Sequence, residues 1–385
     1  MERKQIYDFV NTATKESMGQ EGLVEEDLGN IVDTGAAVFN ANAVDNYVRS
    51  LVNQVGKMVF VDRVYQGRVP SVLIDGWQYG SVMQKIRTEL PEAIETEAWE
   101  LQDGQSYDPN IFYKPKAHVK FYNGGTTFTI PISITEKQVK ESFQSATQMN
   151  AFISMIYTAV NNSMTKKTEL LIKRTINNFI AETVYDAYGA DSQSASAGNT
   201  RAINVLKLYN TENSTSLTAA TCLHDKGFIR YFIELLDLYI ERMSEFTVLY
   251  NIGGTEKFTP KDKLHLVMLS NVKAAALAYL SSDTFHDQYV ALPEAETVNF
   301  WQGTGTNFSL ENASKVDVVT SENHNITVNG VLCVMFDTDA LGVLRPDKRV
   351  TSGYNPVGEF YNYWHKADAS YFNDFDENFV VFFVA

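Results

Sequence analysis

Six histidines, at positions 118, 224, 265, 286, 324 and 365, and two cysteines, Cys222 and Cys333, are the side chains best suited to hold a transition metal or to carry a proton near neutral pH. No two of the histidines are close enough in sequence for ligand spacing, and no Cys-x-x-Cys pair occurs. Two distant cysteines among apolar neighbours are expected to be buried free thiols. His265 lies inside an apolar run and is expected to be a hydrogen-bonded core histidine. The carboxylate groups Asp337 with Asp339, and Asp374 with Asp376 and Glu377, lack the spacing of a calcium loop and are expected to mark solvated turns. Gly303-Thr-Gly305 is followed by Phe308 where a dinucleotide loop needs its third glycine, so it is expected to be a surface turn. There is no nucleophile elbow, P-loop or zinc-protease helix motif. No catalytic, cofactor or metal residue is therefore assigned, and no cofactor is expected.

The charge balance narrows the partners. Lys and Arg number 32 against 47 Asp and Glu, a net charge of −15. Such a chain is poorly suited to neutralising many phosphates, the main source of non-specific nucleic-acid affinity. Lys166-Lys167 and the Lys261, Lys263 pair are expected to be solvated faces. The longest apolar runs, Val380–Ala385 and Ala274–Leu280, fall far short of the ~20 residues of a membrane span. The opening residues Met1–Tyr7 have no apolar core of a signal peptide, so neither membrane nor secretion is expected. Without a secretory route, Asn-x-Ser/Thr triplets such as Asn325-Ile-Thr327 carry no weight.

The elements follow from periodicity. At 385 residues, 44% of them hydrophobic, the chain can bury a core and divide into two or three sub-structures. Helical spacing links Ile6, Phe9, Val10 and Ala13, and again Val44, Val48, Leu51 and Val55. These could form a compact helical pair or flank an arm laid across neighbours. Met58–Tyr65 and Ser71–Ile74 read as strands. Ala117–Tyr122 and Thr126–Ile130 alternate around Asn123-Gly124-Gly125, which predicts a hairpin. Glu89–Pro115, acidic and rich in turn formers, reads as a projecting loop. Residues 132–188 contain no Gly or Pro, and Val139, Phe143, Ala146, Met149, Ile153, Ile156, Val160 and Met164 recur at helical spacing. A long helix is predicted from about Thr135. Ser133 with Glu136 and Thr135 with Gln138 are overlapping capping boxes, and Asn161-Asn162-Ser163 is a place for it to kink or split. Asp191–Asn199 is a low-complexity linker, Phe228–Met243 an amphipathic helix and Leu264–Leu269 a buried strand. Asn271 is expected to cap a helix over Val272–Leu280. The run Phe379–Val384 must be paired inside a sheet, since exposed it would aggregate. These features give an α+β class and name no function.

The order of these features resembles the Hong Kong 97-type major capsid proteins of tailed bacteriophages, over essentially the whole chain. The resemblance is carried by Val61-Asp-Arg-Val-Tyr65, Asp75-Gly-Trp77, Phe112-Tyr-Lys-Pro115, Ile130-Pro-Ile-Ser-Ile-Thr-Glu136 and Gln138-Val-Lys-Glu-Ser-Phe143, in that collinear order. It implies an N-terminal arm over 1–57, strands and an extended loop (E-loop) over 58–134 with its tip at about 89–115, and a spine helix of a peripheral domain over 135–190. It further implies an axial domain over 191–330 and a return into the peripheral domain over 331–385, with strands near 60 and 117–132 as partners of the terminal run.

The function so implied is structural: self-assembly into pentamers and hexamers of an icosahedral shell around double-stranded DNA, with no enzymatic activity. The implied partners are other copies of the chain, a separate scaffolding protein, a portal and packaged DNA bound without sequence specificity; no membrane is involved. Assembly in the host cytoplasm and residence in the virion follow. Trp99, Tyr107 and Phe112 in the loop are expected to bury against the next subunit, where aromatic anchors dominate interface energy. An encapsulin-type shell shares the fold and is the nearest alternative; an enzyme or binding module with a site assembled in space is a more distant one.

Overall fold

The computed structural model describes residues 3–19, 33, 36, 46–47, 50, 69–74, 83–91, 93, 95, 103–104, 108–138, 146–190, 199–281, 293–302, 309–319, 325–344 and 347–385. In chain order the described elements begin with α1 (Arg3–Met18), β1 (Leu73–Ile74), β2 (Met83–Thr88), β3 (Ala117–Tyr122), β4 (Gly125–Thr135) and α2 (Ala146–Tyr188). Then come β5 (Ala202–Asn204), α3 (Val205–Asn213), α4 (Lys226–Met243), β6 (Leu264–Leu269), α5 (Ser270–Ser281), β7 (Glu296–Val298), β8 (Val316–Val319) and β9 (Asn325–Val328). The chain ends with β10 (Val331–Asp337), β11 (Leu341–Leu344), β12 (Asp347–Asn355), β13 (Phe360–Asn373) and β14 (Phe379–Phe383). Met58–Tyr65, most of the second helical signal and the linker Asp191–Asn199 up to residue 198 lie outside the described residues.

One sheet has the order β5-β14-β10-β6-β7. Every residue of β14 is buried, as its unbroken apolar run requires of a strand covered on both faces. Phe379 stacks on Phe179 of α2 with ring centroids 4.0 Å apart. On the opposite face Phe382 meets Phe232 and Tyr239 of α4 edge-on. The terminal run is thus paired inside a sheet, but not with the partners expected of it. It takes β10 antiparallel and β5 parallel. The strand that pairs with residues 125–135 is instead β13, antiparallel over eleven positions from Phe360↔Thr135 to Ser370↔Gly125. Length and alternation decide this, because β13 buries every second residue from Tyr361 to Ala369, matching the half-buried alternation of β4, whereas β14 has no polar face to offer.

α2 connects the two sheets. Val160 and Met164 pack with Ala367 of β13, while Ile172, Ile176, Phe179, Ile180 and Val184 join the core around β14. At 43 residues it is on the order of 65 Å long, and it passes through Asn161-Asn162-Ser163 without a break. Its Gly- and Pro-free sequence explains the length. The turn 136–138 before it is also helical. There Thr135 and Gln138 form the reciprocal cap read from the sequence: the Thr135 N–H donates to Gln138 Oε1 at 3.0 Å and the Gln138 N–H to Thr135 Oγ1 at 3.2 Å. Asp225 caps α4 by accepting from the Phe228 N–H at 2.7 Å. Asn271 is not a cap, since α5 already includes Ser270. Cys222 and Cys333 are buried free thiols, and His265 shares a 2.9 Å hydrogen bond with Thr338 Oγ1.

The hairpin expected around Asn123-Gly124-Gly125 does not form. β3 pairs with β2 and β4 with β13, so these residues are a joint where the chain leaves one sheet for another. A glycine is required there: a Cβ on Gly124 would lie 2.8 Å from the Tyr371 carbonyl oxygen, and the Gly124 carbonyl accepts from the Tyr371 N–H. Turn-prone sequence marked a change of direction correctly. It did not specify which strands would flank it.

Candidate functional site: a projecting ribbon and its charged anchor

β2 and β3 form a two-stranded antiparallel ribbon with Met83↔Tyr122 at its base and Thr88↔Ala117 at its outer end. An isolated ribbon is marginal in water, so what holds it matters. Period-2 alternation sorts its residues. One face carries Lys85, Arg87 and Lys120, the other Ile86, Val119 and Phe121.

The cationic face lies on the turn between β13 and β14. Lys85 Nζ sits 2.7 Å from Asp374 Oδ2 and 2.6 Å from Glu377 Oε1. Lys120 Nζ is 2.8 Å from Asp374 Oδ1 and 2.6 Å from Asp376 Oδ2. Arg87 reaches Asp376 at 3.4 Å and Glu377 at 3.3 Å. A fourth cation, Lys257, lies 2.9 Å from Glu377 on the segment that follows α4. Below the ribbon's base, Tyr122 packs on Phe372 with ring centroids 5.2 Å apart.

The turn that carries the carboxylates is also held by contacts that do not involve the ribbon. The Asp376 N–H donates to Asp374 Oδ1 at 3.2 Å, and the Gly253 N–H donates to the Phe375 carbonyl. Thr255 Oγ1 donates to the Asp376 carbonyl at 2.9 Å. Beneath them Thr259 Oγ1 donates to Asp337 Oδ2 at 2.8 Å. The expectation that these acids mark solvated turns is therefore wrong: the Asp374 side chain is 0% exposed and that of Glu377 6%. The turn folds inward because the neighbouring strands are core, and the cations that make this tolerable come from nearly 300 residues away in sequence. Burial alone would raise the Asp374 pKa, but Lys120 and Lys85 outweigh it and bring it down to about 2. Glu377 is lowered in the same way against its burial, by Lys85 and Lys257. Asp337 moves up, because its burial is not offset by a cation.

The other face of the ribbon is not covered by the described residues of the subunit. Ile86 is 64% exposed and Phe121 65%. The exposed apolar residues continue through Leu90 and Ile111 to Phe112, at 83%. Of the three aromatic residues singled out by sequence, Phe112 is thus placed in the open, and Trp99 and Tyr107 lie outside the described residues. Ile86, Val119 and Phe121 were not singled out. The signal was available, since cations and apolar residues alternate in register on two segments 30 residues apart, but it emerges only when they are paired. Beside Phe121 opens a groove of about 820 Å³ lined by Leu170 and Arg174 of α2, Val319, Trp301 and Phe372. Among the described residues no group of three His, Cys, Asp or Glu is placed to hold a metal ion.

The chain as a whole is similar to known proteins. The Phi29-like phage major capsid protein family matches residues 10–383. The chain belongs to that family. No curated protein sequence matches it. The capsid structure of Staphylococcus phage Andhra aligns at 10% identity and TM-score 0.50, over 84% of this chain and 86% of that one. The capsid of cyanophage P-SCSP1u aligns at 11% identity and TM-score 0.44, over 84% and 88%. The mature capsid of bacteriophage PhiM1 gives 10% identity and TM-score 0.43, over 84% and 87%. The fold is the α+β Hong Kong 97-type capsid fold, and the role of the chain is that of a structural major capsid protein of the virion. No helix among the described residues is long and apolar enough to cross a membrane.

Proposed function

We propose that this capsid subunit assembles into the pentamers and hexamers of an icosahedral shell enclosing double-stranded DNA, and that the ribbon is its extended loop, laid over the adjacent subunit. The observation that carries this reading is the asymmetry of the ribbon. Its inner face is consumed by ion pairs within the subunit, while Ile86, Val119, Phe121 and Phe112 stand exposed on a thin projection anchored from one face. Burying one such side chain contributes about 1.5–3 kcal/mol, so a free subunit forgoes several of these gains until another copy covers the stripe. Trp99 and Tyr107 belong to the same loop and are proposed to act with Phe112 as anchors.

The remaining segments take the corresponding roles: 1–57 an arm, 135–190 the spine helix, 191–330 the axial domain and 331–385 the return to the peripheral domain. The length of α2 and its packing against both sheets support the spine assignment. Many modest contacts, multiplied by closure, stabilise such a shell without any one being strong. No catalytic step is proposed. A separate scaffolding protein, a portal, DNA packaged without sequence-specific binding and assembly in the host cytoplasm complete the reading, and the net charge of −15 suits a wall that must not bind its DNA tightly. Replacing residues Asp103–Asn110 with a short Gly-Ser linker tests the loop assignment. The variant is expected to keep its circular dichroism spectrum and to lose closed shells. Normal shells from a folded variant would remove the loop from the interface.

A further inference from the structure

We infer that the ribbon is a hinged lever held by an ionic latch, with Lys85, Arg87 and Lys120 as its movable half and Asp374, Asp376 and Glu377 as the fixed half. The latch belongs to the single subunit; only its consequence for shell geometry rests on the extended-loop reading above.

Three observations converge on it. First, backbone pairing among the described residues of the ribbon runs only between its own two strands: β2 and β3 form a sheet of their own. Its hold on the body comes from side chains, chiefly the ion pairs and the Tyr122–Phe372 contact at its base. Second, β3 enters the body through Asn123-Gly124-Gly125, where Gly125 already pairs with Ser370 in the β4–β13 register. Gly124 is fixed on the body side by its bond with Tyr371, so the ribbon pivots outside that point. Third, the socket is complete without the ribbon but not neutral without it. With the ribbon lifted, Lys257 is the one cation that the described residues leave paired with this cluster of Asp374, Asp376 and Glu377.

The charged groups around the socket are few enough to name. The ribbon supplies Lys85, Arg87 and Lys120. The segment after α4 supplies Lys257, and the turn after β13 the three acids. Asp337 and Asp339 lie at the end of β10, where the Asp339 carbonyl also accepts from Lys85 at 3.1 Å and Lys263 stands 3.8 Å from Asp339. His118 shares the cationic face, directly across from Arg87, and pairs with Glu89 at 2.6 Å near the outer end. Two buried carboxylates held ionised by ribbon cations close the lever at neutral pH, and their protonation opens it. Because Asp374 and Glu377 have lowered pKa values in the closed form, the latch is intact above the ordinary carboxylate range, weakens below it, and is lost as pH falls toward the closed-form value of about 2 for Asp374. Salt weakens the partly exposed Lys120 and Arg87 pairs in the same direction. Shell building asks one chain to occupy several environments, and a lever with a reversible latch lets the ribbon take different elevations on one fold.

The test is a distance measurement between spin labels on the dilute full-length chain, at Ala117→Cys on the ribbon and Glu256→Cys on the body, both exposed positions. The native cysteines are buried and stay unlabelled. The parent is expected to give one narrow distance distribution at neutral pH. Lys85→Gln with Lys120→Gln is expected to broaden it and shift it to longer distances. Lowering the pH of the parent to about 2, where the closed-form carboxylates take up protons, or raising salt to about 1 M, where screening acts within a few ångströms, should do likewise. Circular dichroism accompanies each sample. If the variant fails to fold, the parent titration decides alone. A distribution in folded chain that stays narrow and unshifted by charge removal, acid and salt overturns the latch, whatever the chain does in shell assembly.

Discussion

The packing of the terminal strand offers the sharpest energetic test of the core. Phe379 is 1% exposed. It lies between Phe179, with centroids 4.0 Å apart and rings nearly parallel, and Phe336 at 5.7 Å. Phe379→Ala removes a fully buried ring whose transfer from water is worth about 1.5–3 kcal/mol. Each lost aromatic pair adds about 0.5–1.5 kcal/mol. The site is hemmed in by Phe336 on the neighbouring strand β10 and by Phe179 of α2, so it relaxes little, and the total expected loss is about 3–5 kcal/mol. Against a typical stability of about 5–15 kcal/mol this is severe without being certain to unfold the chain. Urea unfolding of dilute full-length protein, followed by circular dichroism and by the fluorescence of buried Trp301, should show the midpoint falling with an unchanged slope. Leu238→Ala, at a position 42% exposed, is the control and should cost under about 0.5 kcal/mol. A Phe379→Ala loss below about 1 kcal/mol at unchanged slope would falsify the placement of β14 inside its sheet, next to β10.

Other expectations follow from single contacts. Asp374 falls from an ordinary 3.8 to about 2 on folding, a contribution of about 2 kcal/mol that is full above pH ~4 and lost as pH drops toward 2; Asp337, raised by burial, runs the other way but is one group against two. Urea midpoints should therefore decline below pH ~4.5, and Asp374→Asn should flatten that decline; an identical slope in both proteins would contradict the assignment. Gly330 has φ +71° and a Cβ there would overlap the Val384 carbonyl, so Gly330→Ala should cost more than the ~1 kcal/mol of left-handed strain alone, read from thermal unfolding. Thr135→Ala opens the reciprocal cap and should cost about 1 kcal/mol; hydrogen exchange should rise in residues 136–138 and not in β14.

What the sequence disclosed and what it withheld divide along physical lines. The long helix was legible because 57 residues without Gly or Pro, from 132 to 188, carry one period, and its cap because Thr135 and Gln138 sit three apart. The terminal strand was legible as buried from composition alone. Its partners were not: pairing depends on register between segments up to 180 residues apart, and β13 outcompeted β14 for β4 by offering a matching half-buried alternation. The Asn-Gly-Gly joint looked like a hairpin because local turn chemistry is the same for both. The charged anchor was misread for a related reason. Asp374 and Glu377 look solvated in a list of neighbours in sequence, since nothing local tells that Lys85 and Lys120 will arrive. The outer stripe of the ribbon stayed hidden among its interleaved cations until β2 was set against β3.

The central claim is that the chain builds shells. Sedimentation velocity with electron microscopy on the full-length protein, expressed together with the scaffolding protein of the same phage, tests it most directly. The expected result is closed icosahedral particles whose reconstruction places the Ile86, Val119, Phe121 face of each ribbon against a neighbouring copy. Chain that remains monomeric or in small open oligomers at every concentration, with that face still in solvent, would contradict it.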